Sequence, residues 1–460
     1  MDTQRPFRVL IVDGGLVGLT AAHVFLRAGI DFRVLEKHES VLCPHGTTLA
    51  LWPQTLRIFD QMGLLRALQP LLQPIEDTIT LSSKDSHIMM KDGTMPLIKK
   101  NHGYGIACTA RSDMVKFLYE SLPMTAKSLV LTKMHVVDIK ILADGVKVVC
   151  ADGSQFEGSI VVGADGVHSS TRLLMRALKA DAKPEDLPEP QKYPYISTYR
   201  ALYGRIPVLP GLASNTRYDG AHNGLSTQIT TGTDIAWYSV YEKIRHPKSK
   251  VTKYTETDKA SIMGKWGHLY MAPGWKVRDV NAHRIGETVL INLEEGLIDD
   301  WFFERIILVG DAVRKLEPHA GLGYNCGVTD LVVLVNGLRR LLRNCSNPCV
   351  GALEHLFQTY ERKRLGETKK MAEFSMKTVR LLAWLTWRDR ITAKYLMTNF
   401  PLSKITFNTT IGSLISKTPV LEWLEEGALP KSLVAWKHHP SIQRGQEFGD
   451  EKEARSLPHR

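Results

Sequence analysis

Apolar residues along this chain recur at two spacings, and the switches between them mark the elements. Val9-Leu10-Ile11-Val12 is a short β-branched run that predicts a buried strand. The string Asp13-Gly14-Gly15-Leu16-Val17-Gly18 follows directly, which predicts a tight strand-to-helix turn. From Leu19 to Ala28 the period becomes helical, with Ala22, Phe25 and Leu26 on one face. Gly29 stands where a helix end must accept positive φ, and Phe32 to Leu35 reads as a second strand ending in Glu36.

Farther on, a loop of small residues from His45 to Ala50 lets backbone run close to a ligand. Pro53 to Leu64 predicts a helix with Leu56, Phe59 and Met62 at core spacing, stopped by Gly63. A polar, irregular segment extends to about residue 104, after which Arg111-Ser112-Asp113 caps a helix carrying Met114, Phe117, Leu118 and Leu122. Residues 129–157 alternate, with turns at Asp144-Gly145 and Asp152-Gly153, and predict an antiparallel meander. It leads into a strand at Ile160, then Gly163-Ala164-Asp165-Gly166, with Ser169 and Arg172 following.

The middle of the chain, residues 190–300, reads as a mostly β layer, with strands over 195–203, 225–230, 235–241 and 288–293. Within it, Arg217-Tyr218-Asp219-Gly220 reads as a turn preceding a strand, and Tyr199-Arg200 and Trp237-Tyr238 are candidates for a pocket lining. Ile306 to Val309 is a further buried strand that turns out through Gly310-Asp311-Ala312. Pro318 and Gly321-Leu322-Gly323 form a loop, and Asn325 opens a long amphipathic helix bearing Val328, Leu331, Val332, Val335, Leu338 and Leu342. Residues 371–390, 391–400 and 419–427 are expected to be helices, and 445–460 a polar disordered tail.

Composition narrows the class. A content of 43% hydrophobic and 23% charged residues is that of a globular protein, and 460 residues suffice for a large core in several units. The net charge of +11 favours anionic ligands or surfaces, yet Lys and Arg are interleaved with acids, which argues against nucleic acid. The first residues carry no apolar signal core, so the six cysteines are expected to be reduced thiols in a cytoplasmic compartment. Cys345 and Cys349 lack a partner pair for zinc. No apolar run is long enough to span a membrane; Leu381 to Trp387, flanked by Arg380 and Arg388, reads as a buried C-terminal helix or as a peripheral membrane contact.

The chemistry concentrates in the glycine turn. Gly15 allows backbone to approach a pyrophosphate, Gly18 allows helix and strand to pack closely, and Glu36 lies where a carboxylate can bind ribose hydroxyls. The first glycine of that fingerprint is replaced by Asp13, whose charge is expected to disfavour a phosphate by about 1 kcal/mol. Arg111, just before its helix, can reach a phosphate or pair with a surface acid.

The glycine turn, the Gly163 to Arg172 string and the Gly310 to Asn325 string, in this order, resemble the class A FAD-dependent aromatic-type monooxygenases. Among these the chain is most similar to fungal FAD epoxidases of meroterpenoid and indole-diterpene pathways. The resemblance implies an α/β fold: a Rossmann-like FAD-binding domain of the hydroxybenzoate-hydroxylase type, a mostly β substrate domain and a C-terminal helical region. The expected FAD-binding parts are residues 1–75, 105–189 and 300–370. Residues 76–104 and 190–299 would form the substrate domain, 371–443 the helical region and 444–460 the tail.

By the same resemblance, Gly15, Gly18 and Glu36 would hold the adenosine half of FAD and Arg111 would lie near the pyrophosphate. Asp165 would serve the cofactor and nicotinamide side, and Asp311 the ribityl chain. Gly323 and Tyr324 would pass their backbone under the flavin ring with Ala50 beside it. Tyr218 would be the catalytic proton donor, with Arg200 as its substitute. The implied reaction uses NADPH and O2, with oxygen delivered from a flavin C4a hydroperoxide to an apolar or prenylated aromatic substrate. Epoxidation of a prenyl alkene comes first. Hydroxylation of a phenol, which needs an arginine or base to hold a phenolate, is the alternative within the enzymes, and a flavin-free scaffold the alternative outside them. Arg314 departs from the family string, which has histidine there, and the Trp-x-Trp-x-Ile-Pro string of flavin halogenases is absent.

Overall fold

A computed structural model describes residues 6–42, 47–250, 252–384, 386–392, 404–405 and 407–441. The β-branched run Arg8–Val12 is the inner strand of a six-stranded sheet, flanked by Asp31–Leu35 on one side and Ile160–Gly163 on the other. Ile306–Leu308 pairs in parallel with Ile160–Gly163, so three segments far apart in the chain run side by side in one direction. Only the edge pair Phe302–Phe303 is antiparallel. Strands buried on both faces read as unbroken apolar runs, which is why these showed in the sequence.

Helices Leu16–Ala28 and Gly323–Asn344 pack together against this sheet. Their close approach to the strands depends on Gly18: a Cβ there would lie 1.9 Å from the Asp13 carbonyl oxygen. The meander Val136–Leu142, Gly145–Cys150 and Gln155–Gly158 forms as expected.

The second large layer is an eight-stranded sheet. Its order runs Arg314–Lys315, Val289–Leu297, Ile196–Pro207, Ile235–Lys248, Leu225–Thr231, Thr216–His222, Asp77–Ser82, Ile88–Asp92. Residues 76–104, expected to be irregular, supply its last two strands and the helix Thr94–His102. The tetrad Arg217 to Gly220, expected to be a turn, lies inside a seven-residue strand paired on both sides. Arg111 opens its helix as expected, although no side chain caps it.

The C-terminal part departs most from expectation. Val350–Leu382 is one continuous helix that crosses residue 371 without a break, and Trp387–Ile391 is a separate short helix. The helix expected over 391–400 falls mostly, and the tail over 445–460 wholly, outside the described residues. Residues 419–427 are not helical, because two amide side chains take up their backbone groups. Gln61 Nε2 donates to the Leu421 carbonyl at 2.6 Å and its Oε1 accepts the Leu421 amide at 3.0 Å. Asn336 does the same for the Val420 carbonyl and the Glu422 amide. Among the described residues no helix is long and apolar enough to cross a membrane.

Candidate functional site

The parallel strands Arg8–Val12, Ile160–Gly163 and Ile306–Leu308 end side by side, with Val12 aligned to Gly163 and Gly163 to Leu308. Their carboxyl ends therefore bring together the glycine turn, the Asp165 string and the Gly310-Asp311 turn, the edge at which parallel α/β sheets bind ligands. No side chain caps the helix that starts after Gly15, so its first amides keep their partial positive charge for an anion. Glu36 closes the turn: its Oε2 accepts the Gly14 amide at 2.7 Å, and its Oε1 accepts the His38 amide and the His38 Nδ1.

Asp13 adopts φ 92°, a conformation glycine takes freely and an L side chain rarely. Its Oδ2 accepts the Gly15 amide at 2.8 Å. Burial, then the neighbouring Glu36 and Asp165 carboxylates, push its pKa up to about 7. The full negative charge expected from the sequence is thus held only partly at neutral pH. Arg314 does not offset it: fully buried, Arg314 donates through Nη2 to Asp330 Oδ2 at 2.5 Å, beside Arg364 on the other oxygen of the same carboxylate.

Asp165 is engaged inside its own string. Its carboxylate accepts the Ser169, Ser170 and Thr171 hydroxyls and the Thr171 amide, fixing the start of helix Ser170–Lys179. Arg172, on that helix and buried, donates to the Val167 and Ala312 carbonyls at 2.7 and 2.9 Å. It thereby clamps the Asp165 loop to the Asp311 loop. Asp311 pairs with Lys315 at 2.6 Å, and its Oδ1 lies near Gly323, where an added Cβ would meet it at 3.6 Å.

The second helix start is uncapped as well, with no acid in its first turn. In its first turn, Asn325 joins two chain segments: its Nδ2 donates to the Ala50 and Gly321 carbonyls at 2.9 and 2.7 Å, and its Oδ1 accepts the Trp52 amide. Gly321, at φ 63°, comes so close to Ala50 that a Cβ on it would meet the alanine Cβ at 2.6 Å. The Tyr324 side chain turns inward to Thr20, 2.7 Å between hydroxyls, so only its backbone is left to face a ligand. Arg111 is exposed at the start of a helix packed on Leu16–Ala28, and its side chain has no partner among the described residues. Two uncapped helix starts, the Glu36 carboxylate and the Ala50–Gly321 shelf are a donor and acceptor set that fits FAD.

A cavity of about 790 Å³ lies between that shelf and the eight-stranded sheet. Its walls are mostly apolar, with Trp52, Met90, Met95, Ile98, Phe374 and Leu414, and carry the charged side chains Lys370, Glu373, Lys377 and Lys417. The sheet face below is polar. Strand pairing lines up Thr80, Asp219, Gln228, Ser239 and Tyr203 in one row across five strands, and Thr78, Arg217, Thr230 and Trp237 in the next.

This register turns Tyr218, the expected proton donor, away from the cavity. In a strand, neighbours point to opposite faces, so Arg217 and Asp219 face the cavity and Tyr218 points into the core with Leu81, Leu202 and Ile229. Its hydroxyl accepts the Ala213 amide at 2.8 Å. Arg200 is likewise away from the cavity, paired with Glu242 at 2.7 Å. Of the pocket candidates Tyr199, Arg200, Trp237 and Tyr238, only Trp237 lines it. The tyrosines that do line it are Tyr203 and Tyr241, whose pKa values burial raises, with the Tyr241 ring 4.0 Å from the His319 ring beside the shelf. Sequence reasoning missed Arg217, Asp219 and His319; reading the tetrad as alternating strand would have found the first two.

A family model described as "FAD binding domain" matches residues 7–180 and 277–375. The chain is 35% identical over 396 residues to the FAD-dependent monooxygenase srdH of Neurospora crassa, covering 83% of this chain and 88% of that one. It is 30% identical to the FAD-dependent monooxygenase ausM of Penicillium brasilianum, covering 83% and 80%. HpxO of Klebsiella pneumoniae, solved with FAD and uric acid, shares the fold with a TM-score of 0.70 at 16% identity, covering 89% of this chain and 97% of that one. The strand-end cradle, the uncapped helices and these likenesses agree, and the chain belongs to the FAD binding domain family as an FAD-dependent monooxygenase.

Proposed function

We propose that this protein uses NADPH and O2 to epoxidise a prenyl alkene of a terpenoid secondary metabolite. The observation that carries this reading is the mostly apolar wall of the 790 Å³ cavity, which ends at the Ala50–Gly321 shelf. An alkene needs apolar contact and a fixed distance, and methionine, leucine and phenylalanine side chains provide both. When bound, FAD supplies the oxygen activation that amino acid side chains cannot.

The chain's own residues do the rest. Gly15, Gly18 and Glu36 hold the adenosine half, Arg111 the pyrophosphate, and Asp311 and Gly323 the ribityl and ring end. Asn325 holds the shelf at one height relative to the sheet. Tyr203 and Tyr241, kept protonated by burial, replace Tyr218 as the groups able to hold a proton at the cavity. Trp387 and Ile391, exposed next to the cavity residues Leu381, Leu382 and Thr392, favour a peripheral membrane contact at the end where an apolar substrate enters.

A second reading, hydroxylation of a phenol, is favoured by Arg217, an arginine on the cavity floor. Incubating the FAD-loaded protein and NADPH with prenylated phenols and with simple phenols, then locating the added oxygen by mass spectrometry, tests both. Epoxide on the prenyl chain is expected; oxygen on the ring alone would replace the first reading with the second.

A further inference from the structure

The cavity floor holds an ion pair that apolar contact does not need. Arg217 Nε donates to Asp219 Oδ2 at 3.0 Å, with Nη2 in ion-pair contact with the same oxygen at 2.9 Å, and Gln228 Nε2 donates to Asp219 Oδ1 at 3.0 Å. The Asp219 side chain is 1% exposed and that of Arg217 21%. Replacing such a pair by apolar residues of equal size is often neutral or stabilising, so stability alone does not account for it.

The remaining hydrogen-bonding capacity of the Arg217 guanidinium has one sign. A guanidinium carries five N–H donors and no acceptor. Nε goes to Asp219, Nη2 lies against the same carboxylate, and Nη1 has no partner among the described residues. Thr78, aligned with Arg217 across the neighbouring strand and lining the same cavity, has a buried hydroxyl without a partner. The carboxylate of Asp219 is taken up on both oxygens and cancels the arginine charge. What is left on the floor is a donor-rich patch of zero net charge, in a mostly apolar cavity whose C-terminal side also carries Lys370, Glu373, Lys377 and Lys417.

We infer that Arg217, held by Asp219 and Gln228, recognises a neutral carbonyl oxygen on the head group of the substrate, and that Asp219 sets the preference for a neutral head over a carboxylate. A carbonyl accepts the free N–H groups without adding charge. A carboxylate would leave one negative charge in excess at a site shielded from water, which disfavours it. The substrate class is then a prenyl chain on a head group that bears a neutral carbonyl. The inference rests on the cavity being the substrate site of the proposed reaction.

Three probes sharing a farnesyl chain test it: a farnesyl-substituted cyclohexenone, farnesylcyclohexene and farnesylacetic acid. Binding to the FAD-loaded protein is read from the change in flavin absorption. The cyclohexenone is expected to bind about tenfold or more tighter than the cyclohexene, the range for a hydrogen bond from a charged donor. Arg217→Met should abolish that preference and leave cyclohexene binding unchanged. Asp219→Asn, which removes the compensating charge, should reverse the order of cyclohexenone and carboxylate. Equal binding of all three probes, or an Asp219→Asn protein that still prefers the ketone, would overturn the inference. If Arg217→Met fails to retain FAD, Gln228→Leu and Asp219→Asn carry the test. Mass spectrometry of the same mixtures keeps the two ideas apart: a ketone preference without epoxide sinks the reaction and spares the recognition, and epoxide without a ketone preference does the reverse.

Discussion

The carboxylate of Asp13 accepts the amide hydrogen of Gly15 at 2.8 Å, at the start of helix Leu16–Ala28. The chain therefore carries its own anion where the family places a glycine. Two other carboxylates, Glu36 and Asp165, lie within electrostatic reach, and Lys37 opposes them only weakly.

A pH dependence of FAD binding follows. The folded pKa of Asp13 is about 7, above the ordinary carboxylate range, so the folded protein holds a proton the unfolded chain releases. Stability is unaffected below that range and falls as pH rises through it toward 7, where the penalty is complete. A bound pyrophosphate adds negative charge and favours the protonated form further, so FAD affinity should drop between pH 6 and pH 8. Asp13→Asn should flatten that dependence, and Asp13→Gly should also relieve the positive-φ strain and bind FAD more tightly at both values. Titrating FAD fluorescence at pH 6 and pH 8 checks this; a variant as pH-sensitive as the parent protein contradicts it.

Arg172 joins the Asp165 and Asp311 loops through two carbonyls. Arg172→Met leaves both carbonyls unpaired and should cost about 2–3 kcal/mol of stability. The loops would part, so FAD content of the purified protein should fall as well. A lowered Tm with full FAD content would show that the clamp serves folding alone.

Asn325 satisfies the Trp52 amide and the Ala50 and Gly321 carbonyls at once. Asn325→Leu is expected to cost about 2 kcal/mol or more and to let the shelf drift from the sheet. Oxygen transfer should suffer more than FAD reduction, and the mismatch would appear as hydrogen peroxide released per NADPH consumed. Unchanged coupling between NADPH use and product would refute the positioning role.

Tyr218 and Tyr241 separate core from cavity. Tyr218→Phe loses one acceptor for the Ala213 amide, about 1 kcal/mol, and should leave turnover near that of the parent protein. Tyr241→Phe removes a hydroxyl at the cavity, and turnover should drop on the order of a hundredfold if that hydroxyl holds the transferred proton. Rates measured at saturating FAD distinguish the pair, and the opposite ranking would restore Tyr218 as the candidate.

The three strand-and-turn strings near Asp13, Asp165 and Asp311 were legible because each is local: an apolar run, a glycine turn and a helix start within about twenty residues. So were the meander and the helix from Gly323, whose periods of two and 3.6 are written in consecutive side chains. The face presented by Arg217, Tyr218 and Asp219 was not legible, because it depends on pairing with Asp77–Ser82 and Leu225–Thr231. A strand's partner decides its register, and a one-residue slip exchanges the buried face for the other. Residues 419–427 are a second case: their apolar spacing suggested a helix, but Gln61 and Asn336 supply the hydrogen bonds a helix would otherwise make internally. The amino-acid order thus determined the three strand-and-turn strings by itself. The cavity, its polar floor and the groups that touch a substrate were decided by contacts between segments hundreds of residues apart, which no local pattern records.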